Sequence, residues 1–150
     1  MKYEILEHKA DLKIRAFGKT KEELFENAMI GMFESAKYEP AFAEATAGKE
    51  IKKEIKVSSQ DLPSLLVDFL SEVLYLSEVN QEVYNNIQFK KFSETPKQNK
   101  FATGQAEIEG ILFGKKLKRI GVQIKGVTYH NLEVRQKKDK TWEAIVLFDI

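Results

Sequence analysis

Two stripes of apolar residues at helical spacing, set into a chain that otherwise alternates like a sheet, constrain the fold more than any other feature. The clearer stripe is Leu62, Leu65, Leu66, Phe69, Leu70, Val73 and Leu74. Residues three and four apart share one face of a helix, so these form a single apolar band. Asp61 or Ser59 can accept from the open N–H groups at the start, and Pro63 suits the first turn. The spacing predicts a helix over 61–78. The other stripe is Leu24, Phe25, Ala28, Met29, Met32 and Phe33. Thr20 and Glu23 precede it as a capping box, each side chain satisfying a backbone N–H of the first turn. This predicts a helix over 20–36.

The remaining segments carry β-branched or aromatic residues at alternate places. They predict strands at 3–6, 13–17, 51–57, 86–92, 101–113, 116–125, 127–135 and 141–149. Tyr38–Lys49 reads as a connection, 93–100 as a polar loop, and KKDK at 137–140 as a hairpin tip. Gly126 suggests a bulge or bend. Two helices of this length cannot bury their stripes on each other and leave so many strands uncovered. The fold class is therefore α+β, with both helices packed on largely antiparallel sheet. A strand–helix–strand pattern surrounds each helix, which is compatible with an internal duplication.

At 150 residues the chain is one domain, 1–150. A chain of this size buries about 70% of its unfolded surface, enough for a true core. The 24 basic and 23 acidic residues nearly cancel, which argues against a general nucleic-acid coat. Cysteine is absent, excluding a disulfide framework, thiolate metal sites and a cysteine nucleophile. His8 and His130 are the only histidines, so an all-histidine zinc site is excluded too. The start, MKYEILEHKADLK, has no apolar signal core, and no apolar run is long enough to span a membrane. The expected location is the cytoplasm.

Few motifs carry chemistry. Gly18-Lys19-Thr20 lies between a strand and a helix, like the end of a phosphate loop, but Lys13 stands where that loop needs its first glycine. A tight turn with a capping threonine is the better reading. Lys115, Lys116, Lys118 and Arg119 form a basic run, either a solvated hairpin face or a surface for phosphates or an acidic partner. Interleaved aromatics, the mark of base stacking, are sparse there. His130 reads as a surface or hydrogen-bonded residue rather than a general base.

Carboxylates remain. Asp11 lies between the first two strands, and Asp149 is penultimate. Leu147-Phe148-Asp149-Ile150 carries an apolar strand to the last residue, which suggests a paired terminus. The Asp149 side chain and the terminal carboxylate of Ile150 would then lie close, and their repulsion calls for a cation. Oxygen donors suit Ca²⁺ or Mg²⁺.

Four blocks, in order, resemble the archease family: HKAD at 8–11, the first-helix block at 17–33, the second-helix block at 64–76, and KGVTYHNLEV at 125–134 with the ending VLFDI. Lys9 stands where the family usually has Thr, and Gly126 where Ala is common. The resemblance implies a protein that is not itself an enzyme. It implies an activator of the GTP- and manganese-dependent RNA ligase of tRNA splicing, promoting guanylylation of the ligase histidine and multiple turnover. It also implies broader nucleotide use by that ligase, and an association with a tRNA cytosine-5 methyltransferase. On this likeness a divalent cation, Ca²⁺ before Mg²⁺ or Mn²⁺, is held by Asp11, Asp149 and Ile150. Lys125 is implied to be functional, and His8 and His130 lie inside matching blocks as further partner-facing candidates. Two other classes stand beside this one: a metal-dependent hydrolase using Asp11, Asp149 and His130, and an RNA-binding module using 115–119.

Overall fold

The computed structural model describes residues 1–7, 10–41, 50–95 and 104–150. The elements run β1 (Tyr3–Leu6), β2 (Leu12–Gly18), α1 (Lys21–Ser35), β3 (Tyr38–Pro40), β4 (Ile51–Ser59), α2 (Leu62–Asn80), β5 (Glu82–Thr95), β6 (Gln105–Ile120), β7 (Gly126–Gln136) and β8 (Trp142–Asp149). The strands form two antiparallel sheets. The first has the order β1-β2-β8-β7, so strands from both chain ends alternate in it. The second centres on β6, which pairs with β3, β4 and β5. This is the α+β architecture that the strand and helix pattern predicts.

Both helices begin as their caps dictate. The Thr20 hydroxyl accepts from the Glu23 N–H at 3.1 Å, and Glu23 Oε1 accepts from the Lys19 N–H at 3.3 Å. Gly18-Lys19-Thr20 is thus a capped turn: a side chain on Gly18 would place its Cβ 2.3 Å from the Leu24 nitrogen. Asp61 caps α2 by accepting from Ser64 N–H at 2.8 Å. The Ser59 hydroxyl donates instead to Asp68, on the second turn of that helix, at 2.5 Å.

The helices lie between the sheets rather than on one of them. α1 packs against β1, β2 and β8 on one side and β3 and β5 on the other. α2 packs between β7 and the group β4, β5 and β6. A helix covered on two sides needs more than one apolar stripe. Accordingly Asn27, Ile30 and Gly31 of α1 are buried as well as the expected stripe. The Asn27 amide is satisfied by the Phe17 carbonyl at 2.7 Å. Gly31 lets helix and sheet meet, since a Cβ there would lie 2.9 Å from both Ile14 Cδ1 and Tyr3 Cγ.

Four sequence expectations need correction. The expected strands 101–113 and 116–125 are one strand, β6, with residues 101–103 outside the described set. Gly114 does not break it but admits β5: a Cβ there would lie 2.1 Å from the Val83 carbonyl oxygen. The strand expected at 86–92 extends to Glu82–Thr95 and takes in the first residues of the expected 93–100 loop, whose remainder lies outside the described residues. Gly126 is not the bulge. It pairs with Asp149 in regular register, and the irregularity falls between Thr128 and Glu133, where Asn131 has φ 54°. The segment read as a connection opens with a strand, β3, and its residues 42–49 lie outside the described set. The final hairpin holds as expected: Asp139 accepts from the Thr141 N–H at 3.0 Å.

Buried tyrosines set an alkaline limit on stability. Burial raises the Tyr84 hydroxyl well above the usual tyrosine range, reinforced by its hydrogen bond to Glu82 at 2.7 Å and that carboxylate's charge. Burial also raises Tyr38, whose oxygen accepts from the Ile124 N–H at 3.1 Å. Their folded pKa values exceed the unfolded value of about 10, so their contribution is intact below about pH 10. It is lost progressively as pH rises from there through the folded values. Denaturant unfolding across the alkaline range should show this decline, and Tyr84→Phe should flatten it; an unchanged slope would absolve Tyr84.

Candidate functional site

The register of the first sheet assembles the acidic residues. β2 and β8 pair antiparallel, with Lys13 opposite Leu147 and Leu12 opposite Phe148. One residue beyond this pair lie Asp11, just before β2, and Asp149, the last residue of β8, at the same end of the sheet. On the other side of β8, Asp149 pairs with Gly126, and its carbonyl accepts from the Lys125 N–H at 2.7 Å. Asp11, Asp149, Ile150 and Lys125 are thus gathered at one sheet end from both ends of the chain. Asp149 and Lys125 are exposed, Asp11 is half-buried, and Ile150 is 37% exposed.

Side-chain alternation puts Asp149 on the same face of β8 as Leu147. The neighbours of Leu147 in the next row are Lys13 on β2 and Thr128 on β7. The acidic end is therefore bordered by an ammonium and a hydroxyl. Among the described residues, no three or more Asp, Glu or His side chains converge to hold a metal ion. The side-chain oxygens at this sheet end include those of the two aspartates. That donor set is hard and acidic, which fits Ca²⁺, Mg²⁺ or Mn²⁺, and it is short of the six to eight oxygens of a full calcium shell.

The histidines do not join this set. His8 lies outside the described residues. His130 is exposed on the irregular stretch of β7, and its N–H donates to the Thr128 hydroxyl at 3.3 Å. The regular pairing that brings Gly126 to Asp149 is interrupted before His130 is reached. Two of the four cations of the basic run face neighbouring acids. Arg119 donates twice to Glu39, at 2.7 and 3.1 Å, and Lys116 lies 3.9 Å from Glu82.

One contact near the candidate residues was invisible in the sequence. The Tyr129 hydroxyl donates to Asp68 at 2.7 Å, and Asp68 also accepts from Ser59. This ties the irregular stretch of β7 to α2. The hydrogen bond to Asp68 raises the Tyr129 pKa, aided by burial and by the charges of Asp68 and Asp61. No spacing rule links residues so far apart, so only the tertiary structure discloses it.

Comparison with known proteins places the chain in a family. The Archease protein family matches residues 3–150. Protein archease from Methanosarcina mazei is 39% identical over 153 aligned positions, covering 99% of this chain and 96% of that protein. Protein archease from Pyrococcus furiosus is 29% identical, covering 99% of this chain and 98% of that one. The solution structure of Methanobacterium thermoautotrophicum protein 1598 superposes with a TM-score of 0.67, at 26% identity and 99% coverage of both chains. A Thermotoga maritima archease, described as a possible chaperone, shares the fold with a TM-score of 0.61 at 20% identity, covering 97% of this chain and 94% of that one. With one family pattern running over nearly its whole length and relatives aligned end to end, the chain belongs to the archease family.

Proposed function

We propose that this protein activates the GTP-dependent RNA ligase of tRNA splicing, promoting ligase guanylylation and repeated turnover, and that its acidic sheet end is the working part. The observation that carries this reading is the register of β2, β8 and β7, which gathers Asp11, Asp149, Ile150 and Lys125. Membership of the archease family supports the choice of partner class.

Asp11, Asp149 and the terminal carboxylate of Ile150 would hold a divalent cation, most suitably Ca²⁺, with Mg²⁺ or Mn²⁺ as alternatives. When bound, that ion supplies positive charge and open coordination positions beside the docking surface. The chain's own part is positional. The pairing of Leu12 with Phe148 supports a placement of Asp11, just before β2, near Asp149, and the Lys125 N–H pins the last residue of β8. Exposure of Asp149 and Lys125 leaves both side chains accessible to a partner. Lys125 then offers an ammonium to an anionic group of the ligase complex.

The test is a guanylylation and multiple-turnover ligation assay with a cognate ligase at low concentration. The native chain should stimulate both steps. A chain extended beyond Ile150, which moves the terminal carboxylate away, should stimulate neither and should bind Ca²⁺ more weakly. Full stimulation and unchanged Ca²⁺ binding by the extended chain would remove Ile150 from the site. Absence of stimulation by the native chain would overturn the ligase reading itself.

A further inference from the structure

The solvent face of α2 differs from the rest of the surface. It presents Asp61, Asp68, Glu72, Tyr75, Glu78 and Val79, and neither α2 nor its cap contains a Lys or Arg. Asp68 and Glu72 are like charges one turn apart, and Glu78 sits near the helix C-terminus, where the helix dipole disfavours an anion. Several carboxylates elsewhere are matched: Glu39 with Arg119, Glu94 with Lys21, Glu109 with Lys56. None of the four acids on this face forms an ion pair among the described residues. Asp68 is met by the hydroxyls of Ser59 and Tyr129, and Glu78 by the Gln123 amide at 3.2 Å.

Apolar surface collects on the same face. Tyr75 is 57% exposed, Val79 60%, Val122 43% and Tyr129 57%, four of the seven exposed large hydrophobics among the described residues. Hydrogen bonds hold the flanking pair in place: Tyr129 is bound to Asp68, and Gln123, the neighbour of Val122, to Glu78. β4 and β7, the strands on either side of α2, are both sheet edges. Lys37 lies against Gly121, beside Val122, and Lys116 donates to the Asn80 carbonyl at the C-terminal end of α2 at 3.4 Å.

We propose that this face docks a basic amphipathic segment of a partner protein. Its apolar side chains would cover Tyr75, Val79, Val122 and Tyr129, while its Lys and Arg residues would neutralise the four carboxylates. Charge complementarity selects this occupant. Nucleic acid is disfavoured because the carboxylates repel phosphates. A second copy has less charge to offer, because two of the four cations of the chain's basic run, Lys116 and Arg119, already face Glu82 and Glu39. The surface shares no residue with the acidic sheet end, and the inference does not depend on ligase activation.

The test is NMR titration of the full-length protein with an amphipathic lysine–leucine peptide, a scrambled peptide of the same composition, and a glutamate–leucine counterpart. Shift changes should be confined to α2 and to the neighbourhood of Gln123 and Tyr129, with the lysine–leucine peptide alone. Raising salt from about 0.05 to about 0.5 M should weaken binding roughly tenfold or more. The Glu72→Lys/Glu78→Lys variant should lose at least about tenfold in affinity, and Val79→Ser severalfold. These positions are at the surface, so the variants should keep the native spectrum. Shifts elsewhere, equal binding of the scrambled peptide, affinity untouched by charge reversal, or self-association through this face would each overturn the proposal.

Discussion

Asp149→Asn is expected to weaken divalent-ion binding by roughly 10–100-fold or more and to abolish stimulation of the ligase. Loss of a group that merely orients a ligand costs about that much, and a ligand's own charge should count for at least as much. The substitution keeps side-chain size, and the strand contact at this position uses the backbone: the Asp149 carbonyl accepts from the Lys125 N–H. The fold should therefore survive, with the unfolding midpoint in chelator unchanged or slightly raised as repulsion from Asp11 is relieved. Calorimetric titration with Ca²⁺, run beside the ligation assay, checks both halves. Lost stimulation with intact ion binding would separate Asp149 from the ion and make it a direct partner contact. Intact stimulation with lost ion binding would leave the cation a structural role only.

Phe25→Ala should cost about 3–5 kcal/mol of folding free energy, the range for deleting a fully buried phenylalanine. Phe25 is 0% exposed, with its ring 5.6 Å from Phe69 of α2 and 5.0 Å from Phe92 of β5. It therefore joins α1 to both α2 and the second sheet, and strand pairing on either side leaves little room for collapse into the void. A domain typically holds only about 5–15 kcal/mol in reserve, so the variant would be near its limit. The expected drop in melting temperature is about 6–20 °C. Denaturant unfolding with an unchanged m-value would confirm that stability, not compactness, had changed. A cost under about 1 kcal/mol would mean that the second sheet moves in to fill the gap, contrary to a helix layer held tightly between sheets.

Local signals are legible in the sequence because their causes are local. The Thr20–Glu23 box and the Asp61 cap are contacts three residues long, and they place both helix starts. Strand alternation is likewise a property of adjacent residues, and it locates β1, β2, β4, β7 and β8 to within two residues at either end. Sequence and structure differ where the partner lies far away in sequence. Gly114 resembles a break until β5 is seen crossing it. Glu82 resembles a loop residue until its carboxylate is found buried against Tyr84, with Lys53 at 3.7 Å. Gly126 resembles a bulge, yet the irregularity falls a few residues later, where Tyr129 is drawn to Asp68.

The candidate site divides in the same way. Its residue types, an oxygen-rich pair without thiols and with few imidazoles, follow from composition, and the ordered blocks that mark the family are legible by inspection. The sequence by itself thus determined element types, helix caps, the α+β class and the chemical character of the acidic residues, because propensity, periodicity and capping act within a few residues. Tertiary structure alone decided that the helices are covered on both sides, that the segments bearing Asp11 and Asp149 reach one end of the first sheet while His130 lies beyond the regular pairing, and that among the described residues the acids of α2 form no ion pair. Those outcomes depend on which strands become neighbours, and that is chosen by the burial of the whole chain at once.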